Sequence, residues 1–167
     1  MTTYTLVKNN PRNTVLTDPE GSILYKISTQ VKYPNEVTTV TRANELDIIA
    51  VIHWNSIGMN TVTMDGKIRD LNDVFPRSGK SSISRLVTIG DRDEDKFKWH
   101  FTTKLYCTSV ATGLNVATYH HALFADLRGK KSTIDIVPGA VQHSDILVVS
   151  WMVMEKESQD GYLLTMK

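Results

Sequence analysis

The feature that most constrains this chain is an apolar run near its C-terminus, residues 146–154, in which only Ser150 is polar. A helix on a protein surface has a polar face, and a half-exposed strand alternates polar and apolar residues. The run shows neither pattern, so we expect it to be enclosed on every side. It is shorter than the roughly 20 apolar residues of a membrane-spanning helix, and charged residues stand at both of its ends.

Periodicity does not decide whether the run is a helix or a strand, because its β-branched residues suit either. We interpret it as a helix for two reasons. Ser144 is a favoured N-cap residue, and Asp145 would lie at the positive end of the helix dipole. The sequence thus predicts a helix at about 144–158, with Gly161 as its stop signal.

Size and composition are those of one soluble domain covering residues 1–167, with 22% charged and 41% hydrophobic residues. The net charge of +1 argues against a generally basic nucleic-acid binder. Cys107 is the only cysteine, so no intrachain disulfide can form. Residues 1–7 lack the pattern of a signal peptide and no transmembrane segment is visible, which predicts a cytoplasmic protein.

The sequence before the apolar run predicts short strands separated by turns. The sharpest signal is Asp65-Gly66, which predicts a two-residue hairpin between flanking strands. Counting the segments gives about twelve strands, and their regular spacing is typical of a barrel or a sandwich. A wide barrel needs a large filling, and the apolar helix would supply it. We therefore predict a mainly β fold, an antiparallel closed barrel around a buried C-terminal helix.

Several segments, taken in order, resemble a family of uncharacterised fungal proteins. They are residues 13–21 (Asn-Thr-Val-Leu-Thr-Asp-Pro-Glu-Gly), 24–27, 52–54, 74–77, 97–99, 105–107, 116–120 and the apolar run. That family is similar to the tubby C-terminal and LURP-one-like superfamily. The resemblance implies a twelve-stranded barrel around a central hydrophobic helix. Superfamily members bind phosphoinositides, scramble lipids or act in defence and signalling, but none of their site motifs matches this sequence residue by residue.

A basic loop containing Arg77 and Lys80, followed by Arg85, is the first candidate site. Gly79-Lys80-Ser81 is similar to part of a phosphate-binding P-loop, but Val74 stands where that motif needs glycine and no βαβ unit surrounds it. A looser anion site is one interpretation, since glycine, hydroxyls and cations can hold a phosphate. A solvated surface loop is the other, and such loops are common.

A second basic turn contains Arg128, Lys130 and Lys131. It could share a face with the first loop and form a two-part site for anionic lipid headgroups, with about 1 kcal/mol from each cation near a membrane. The alternative is a charged hairpin that keeps an edge strand from aggregating. The predicted anion-binding or lipid-binding set is Arg77, Lys80, Arg85, Arg128, Lys130 and Lys131.

The histidines do not form a metal-binding pattern, and a lone cysteine excludes zinc-finger arrangements. His53 and His100 each neighbour a tryptophan and could face one pocket, with Asp73 as a further polar group. A strand histidine is more often structural than catalytic. The sequence therefore predicts no catalytic residue, no metal and no cofactor.

Two functions remain open at this point. The favoured hypothesis is a non-catalytic binding or scaffold domain for a phosphoinositide membrane surface or a protein, with no role in nucleic-acid binding. The alternative is an enzyme or a small-ligand-binding protein with a pocket at one end of the barrel, where His53, His100 and Asp73 would supply the polar groups.

Overall fold

The computed structural model describes residues 1–79, 82–90, 92–123 and 129–165, with only the backbone of residues 93 and 162–165. The described chain is mainly β. Its strands are β1 (Thr2–Leu6), β2 (Thr14–Thr17), β3 (Ile23–Lys32), β4 (Asn35–Arg42), β5 (Ile48–Trp54), β6 (Thr61–Met64), β7 (Lys67–Asp70), β8 (Arg85–Thr88), β9 (Lys96–Phe101), β10 (Leu105–Ser109), β11 (Asn115–His120) and β12 (Thr133–Ile136). The helices are α1 (Leu71–Val74), α2 (Ser144–Thr165) and two short 3₁₀ segments, Asp93–Asp95 and Pro138–His143.

All twelve strands belong to one antiparallel sheet, in the order β7-β6-β5-β4-β3-β2-β1-β12-β11-β10-β9-β8. Strand β1 pairs with both β2 and β12, and so joins the two halves of the chain. Because the strands alternate in direction, consecutive connections lie at opposite ends of the sheet. We call the end where α2 begins the proximal end, and the end where its last turns lie the distal end.

Helix α2 is enclosed, as its sequence predicted. Residues 147–156 are all buried, which is ten consecutive positions and therefore every face of the helix. The side chains that surround it come from the inward face of the strands. They include Leu16, Val40, Ile52, Trp99 and Ile136, all fully buried.

The one polar residue in the apolar run has its hydrogen bonds satisfied inside the core. The Ser150 hydroxyl donates to the Ile146 carbonyl of the preceding turn (2.7 Å) and accepts a hydrogen bond from the Trp99 indole nitrogen (2.8 Å). The bond to Trp99 ties α2 to β9. Ser150 is therefore tolerated in the core because its hydroxyl satisfies another buried polar group.

The predicted start of α2 is confirmed, but the capping differs. The helix begins at Ser144 directly after a 3₁₀ segment, and the Ser144 hydroxyl donates to the Val141 carbonyl (2.5 Å). Asp145 lies in the first turn and accepts hydrogen bonds from Arg42 Nη2 (2.5 Å) and the Tyr25 hydroxyl (2.7 Å). Burial and the Asp145 carboxylate raise the pKa of Tyr25 well above its usual value.

The predicted stop at Gly161 is wrong, because α2 continues to Thr165. A glycine ends a helix by adopting a positive φ. Five glycines in the described chain have a positive φ, and Gly161 is not one of them. At Asp65-Gly66 the predicted hairpin is confirmed, since β6 and β7 flank the two residues and both have positive φ (51° and 72°).

The edges of the sheet are β7 and β8, and no hydrogen-bonded pairing joins them within the described residues. A barrel closed by hydrogen bonds is therefore not confirmed. The chain itself occupies the edge of β8: after α1, the Pro76 carbonyl accepts from Leu86 N (2.8 Å) and Ser78 N donates to the Ser84 carbonyl (3.0 Å). Within the described chain, no helix is long and apolar enough to cross a membrane.

Candidate functional site

A large pocket, with a volume of about 1470 Å³, lies at the distal end between the last turns of α2 and the sheet. The helix contributes residues 154–161 to its wall. The sheet contributes strand ends and connections, including Glu36 and Trp54 on one side and Phe101, Leu105 and Tyr119 on another. Charged groups of the helix and aromatic groups of the strands therefore share one cavity.

Three consecutive charged residues of α2, Glu155, Lys156 and Glu157, line this pocket. Successive side chains of an α-helix diverge by about 100°. On a surface helix some of them would face solvent, but in the enclosed helix each one meets a different part of the wall. Two of the three have partners of opposite charge there, and the third has none among the described residues.

Glu157 pairs with two arginines from the chain between β7 and the start of β8. Arg85 is only 3% exposed, and its Nε and Nη2 donate to the Glu157 carboxylate at 2.6 and 2.9 Å. Its Nη1 donates to the Phe75 carbonyl (2.6 Å) and to Asn72 Oδ1 (3.0 Å). Arg77 Nη2 donates to the same carboxylate at 3.0 Å. Arg85 thus connects β8, the α1 region and α2 through a two-pronged ion pair.

Lys156 is buried in a second ionic network on the opposite wall. Its Nζ lies 2.5 Å from Asp160 Oδ2 and 3.6 Å from Glu36 Oε2. Nζ also lies 4.3 Å from the centre of the Trp54 ring, a cation–π distance. Glu36 makes a further ion pair with Arg12, so this network extends from α2 to the loop before β2. A buried ammonium is stable here because it is surrounded by carboxylates and an aromatic face.

Glu155 is the member of the trio that has no cationic partner among the described residues. It is 7% exposed, and its pKa is raised to about 7 because burial disfavours the charged form, an effect that a hydrogen bond with Gln159 opposes. Tyr119 lies close enough to interact electrostatically, and burial together with the Glu155 charge raises the tyrosine pKa. The Tyr119 hydroxyl in turn lies 3.2 Å from His121 Nδ1.

The predicted basic residues fall at the distal end where they are described; Lys80 and Arg128 lie outside the described residues. Lys130 and Lys131 line a smaller pocket of about 410 Å³ together with Lys8. Lys131 Nζ donates to the Val7 carbonyl at 3.3 Å. The predicted basic residues therefore divide into two groups: Arg77 and Arg85 pair with Glu157, whereas Lys130 and Lys131 lie at a separate pocket.

The predicted pocket residues His53, His100 and Asp73 are not among the described residues that line the large pocket. His53 and Asp73 are exposed. His100 stacks on Tyr106 (4.8 Å between ring centres) and lies 2.9 Å from Thr108 Oγ1, and its pKa is lowered by burial and by Lys98. Both histidines alternate along their strands with inward tryptophans, so they face outward.

Among the predicted site residues, Arg77 lines the large pocket, but sequence reasoning missed the charged residues of α2 that line it. Glu155, Lys156 and Glu157 follow the apolar run within the predicted helix, and a charged triplet in an enclosed helix was the available signal. His120 and His121 also line the pocket. No cluster of three potential metal ligands occurs in the part of the chain that the structure describes, and Cys107 is buried, with a thiol pKa raised by burial.

The raised pKa of Glu155 predicts a specific pH dependence of stability. The pKa of about 7 in the folded protein lies above the ordinary glutamate value of 4.5. The folded state thus binds the proton more tightly, and this contribution to stability is present below pH 4.5 and lost as the pH rises through 7. Between pH 4.5 and 8, we expect the free energy of unfolding of the wild type to fall by about 3 kcal/mol relative to Glu155→Gln.

Urea denaturation of both proteins across this pH range measures the difference. Glu20→Gln, at an exposed turn position, serves as the control and should follow the wild type. A wild-type curve parallel to that of Glu155→Gln at every pH would show that Glu155 titrates normally.

Comparison with known proteins places this fold in context. None of the curated proteins compared matches the sequence. A crystal structure of a protein from Arabidopsis thaliana is similar over 94% of this chain and 91% of that chain, with a TM-score of 0.55 and 11% sequence identity. At this identity the likeness concerns the fold alone. The sequence profile of DUF6593, a family of unknown function, matches residues 9–160. The chain therefore belongs to the DUF6593 family.

Proposed function

We propose that this domain is a non-catalytic binding protein and that its ligand is a small molecule held in the large distal pocket. The observation that carries the proposal is the pocket itself, about 1470 Å³ of space beside an otherwise tightly packed helix. Pockets for small ligands have volumes of roughly 300–1000 Å³, so there is room for such a molecule. The site is at one end of the sheet, where ligands of small β-barrels enter.

The exposed apolar side chains in this pocket support an apolar ligand body. Ile83, Phe101 and Leu123 line the pocket and remain 53%, 37% and 67% exposed. Apolar side chains gathered in a concave site favour binding of an apolar surface, because each 1 Å² removed from water contributes roughly 25 cal/mol.

Introducing a charge into the pocket should weaken the binding of a neutral hydrophobic probe. We expect Leu123→Asp to raise the Kd of N-phenyl-1-naphthylamine at least roughly threefold, because the probe would lose an apolar contact and desolvate a carboxylate. Leu114→Asp is a matched control, since Leu114 is 69% exposed and lies in the β10–β11 connection at the proximal end. Fluorescence titration measures both constants.

Two results would contradict the proposal. One is that the wild type does not bind the probe. The other is that Leu123→Asp and Leu114→Asp lose affinity for the probe to the same extent.

We also propose that the sheet is a closed barrel of the tubby C-terminal and LURP-one-like type, as in the fungal proteins that the sequence resembles. Twelve strands, a last helix buried on all faces and the Pro76–Ser78 segment along β8 support this. The ion pair of Arg85 with Glu157 and its hydrogen bonds to Asn72 and Phe75 would hold the wall together where the described β7 and β8 are not paired. We propose a cytoplasmic location, in keeping with the single buried thiol.

A second candidate function is attachment to an anionic membrane surface. The specific observation is the smaller pocket, where Lys8, Lys130 and Lys131 stand around about 410 Å³ of space. Their ammonium groups could hold the phosphates of a phosphoinositide headgroup. A protein partner with an acidic surface would use the same cations.

Replacing Lys130 and Lys131 by alanine should weaken binding to phosphoinositide vesicles roughly thirtyfold, since each cation near the surface contributes about 1 kcal/mol. Lys67 and Arg69 are exposed on β7 and their double alanine variant removes the same charge elsewhere. Flotation with vesicles at two salt concentrations measures the effect. Equal binding of the two double variants, or no binding by the wild type, would count against this candidate.

A further inference from the structure

We infer that the ligand of the distal pocket is an amphiphilic amine whose protonated amino group pairs with the carboxylate of Glu155. This inference rests on the proposed function of the pocket and adds the chemical class of the ligand. It is drawn from the arrangement of charges in the pocket wall, from the burial of Glu155 and from the apolar surface around it.

Among the described residues of the pocket wall, every carboxylate except one is paired with a cation. Glu157 has Arg85 and Arg77. Asp160 has Lys156, and Glu36 has Arg12 with Lys156 farther away. Glu155 lines the same pocket without a cation within reach in the described part of the chain.

Because Glu155 is buried, the lack of a cationic partner among the described residues is costly for its ionised form. Only 7% of Glu155 is exposed, so water solvates its carboxylate poorly. A buried ionised carboxylate is costly unless a partner of opposite charge is present. An ammonium group from a ligand would supply that partner, whereas a carboxylate or phosphate group would add repulsion.

The cations of the pocket wall do not prevent a ligand cation from binding beside Glu155. Lys156 is balanced by Asp160 and lies near Glu36. Arg77 shares the single Glu157 carboxylate with Arg85, so this trio keeps one net positive charge, but the Arg77 side chain is 39% exposed and water screens it. Lys104 is exposed on the connection between β9 and β10, where water screens it. A cation that enters beside Glu155 therefore meets a buried carboxylate that has no cationic partner among the described residues.

The rest of the wall suits the body of such a ligand. Phe101, Leu105 and Met154 offer apolar surface, and Tyr119 and Trp54 add aromatic rings. Aromatic faces attract ammonium groups as well as hydrocarbon. An alkyl or aryl chain that ends in a primary amine fits both requirements.

Isothermal titration calorimetry with three probes of equal chain length tests the inference. The probes are octylamine, octanol and octanoate, and the proteins are the wild type, Glu155→Gln and the control Glu20→Gln. We expect the wild type to bind octylamine at least about tenfold more tightly than octanol, and octanoate most weakly, because a charge-assisted hydrogen bond forms with the amine alone. In Glu155→Gln the preference for octylamine over octanol should disappear, and Glu20→Gln should behave as the wild type.

The possible failures are distinct. If octanol binds the wild type as tightly as octylamine, or if Glu155→Gln keeps the preference, the inference is overturned but the pocket remains a ligand site. If none of the three probes binds, both the inference and the proposed function are overturned. The wild-type comparison needs no variant, and Glu155→Met, which also removes the charge, gives the same test if Glu155→Gln does not fold.

Discussion

The enclosure of α2 is the constraint on which the rest of this structure depends. Within the ten consecutive buried residues, positions 147–154 present apolar side chains in all directions, apart from Ser150, so no single flat layer can cover them. The sheet must surround the helix, and twelve strands with inward side chains such as Val40, Ile52 and Trp99 provide that surface. The hydrogen bond between Ser150 and Trp99 shows how closely the helix is fitted to the wall.

The enclosure also explains why the charged end of the helix is important. Beyond Met154, α2 leaves its apolar surroundings while it is still inside the wall, so Lys156 and Glu157 must find partners there. Lys156 reaches the β4 side through Glu36, and Glu157 reaches β8 through Arg85. These two networks hold the helix end from two sides. Both networks line the large pocket, and Glu155 lines it as well.

The apolar run and the Asp65-Gly66 turn were readable from the sequence because their signals are local. One depends on composition, and the other on the two positive φ angles that the turn requires. The twelve strands followed from the alternation of short segments with turn residues. The edges of the sheet could not be predicted in this way, because strand order depends on contacts between distant residues. The ion pair between Arg85 and Glu157 joins residues 72 positions apart, so no local sequence pattern predicts it.

The candidate site also depends on contacts between distant residues, which the sequence did not predict. Arg77 and Arg85 were predicted as anion ligands from their charge, but the structure gives each a carboxylate partner. His53 and His100 were grouped because both neighbour a tryptophan. Adjacent residues of a strand point to opposite faces, so the inward tryptophans place both histidines outside. Glu155 was overlooked because a charged helix end usually lies in solvent, and only the enclosing wall makes it unusual.

Native-state hydrogen exchange of the α2 amides tests the enclosure of this helix most directly. If the helix is surrounded by the sheet, it cannot open without unfolding the domain, and the amides of residues 148–153 should exchange with the free energy of global unfolding found by denaturation. The edge strand β7, whose side chains are largely exposed, should exchange at lower free energies. Exchange of residues 148–153 at free energies as low as those of β7 would show that α2 is not the enclosed core.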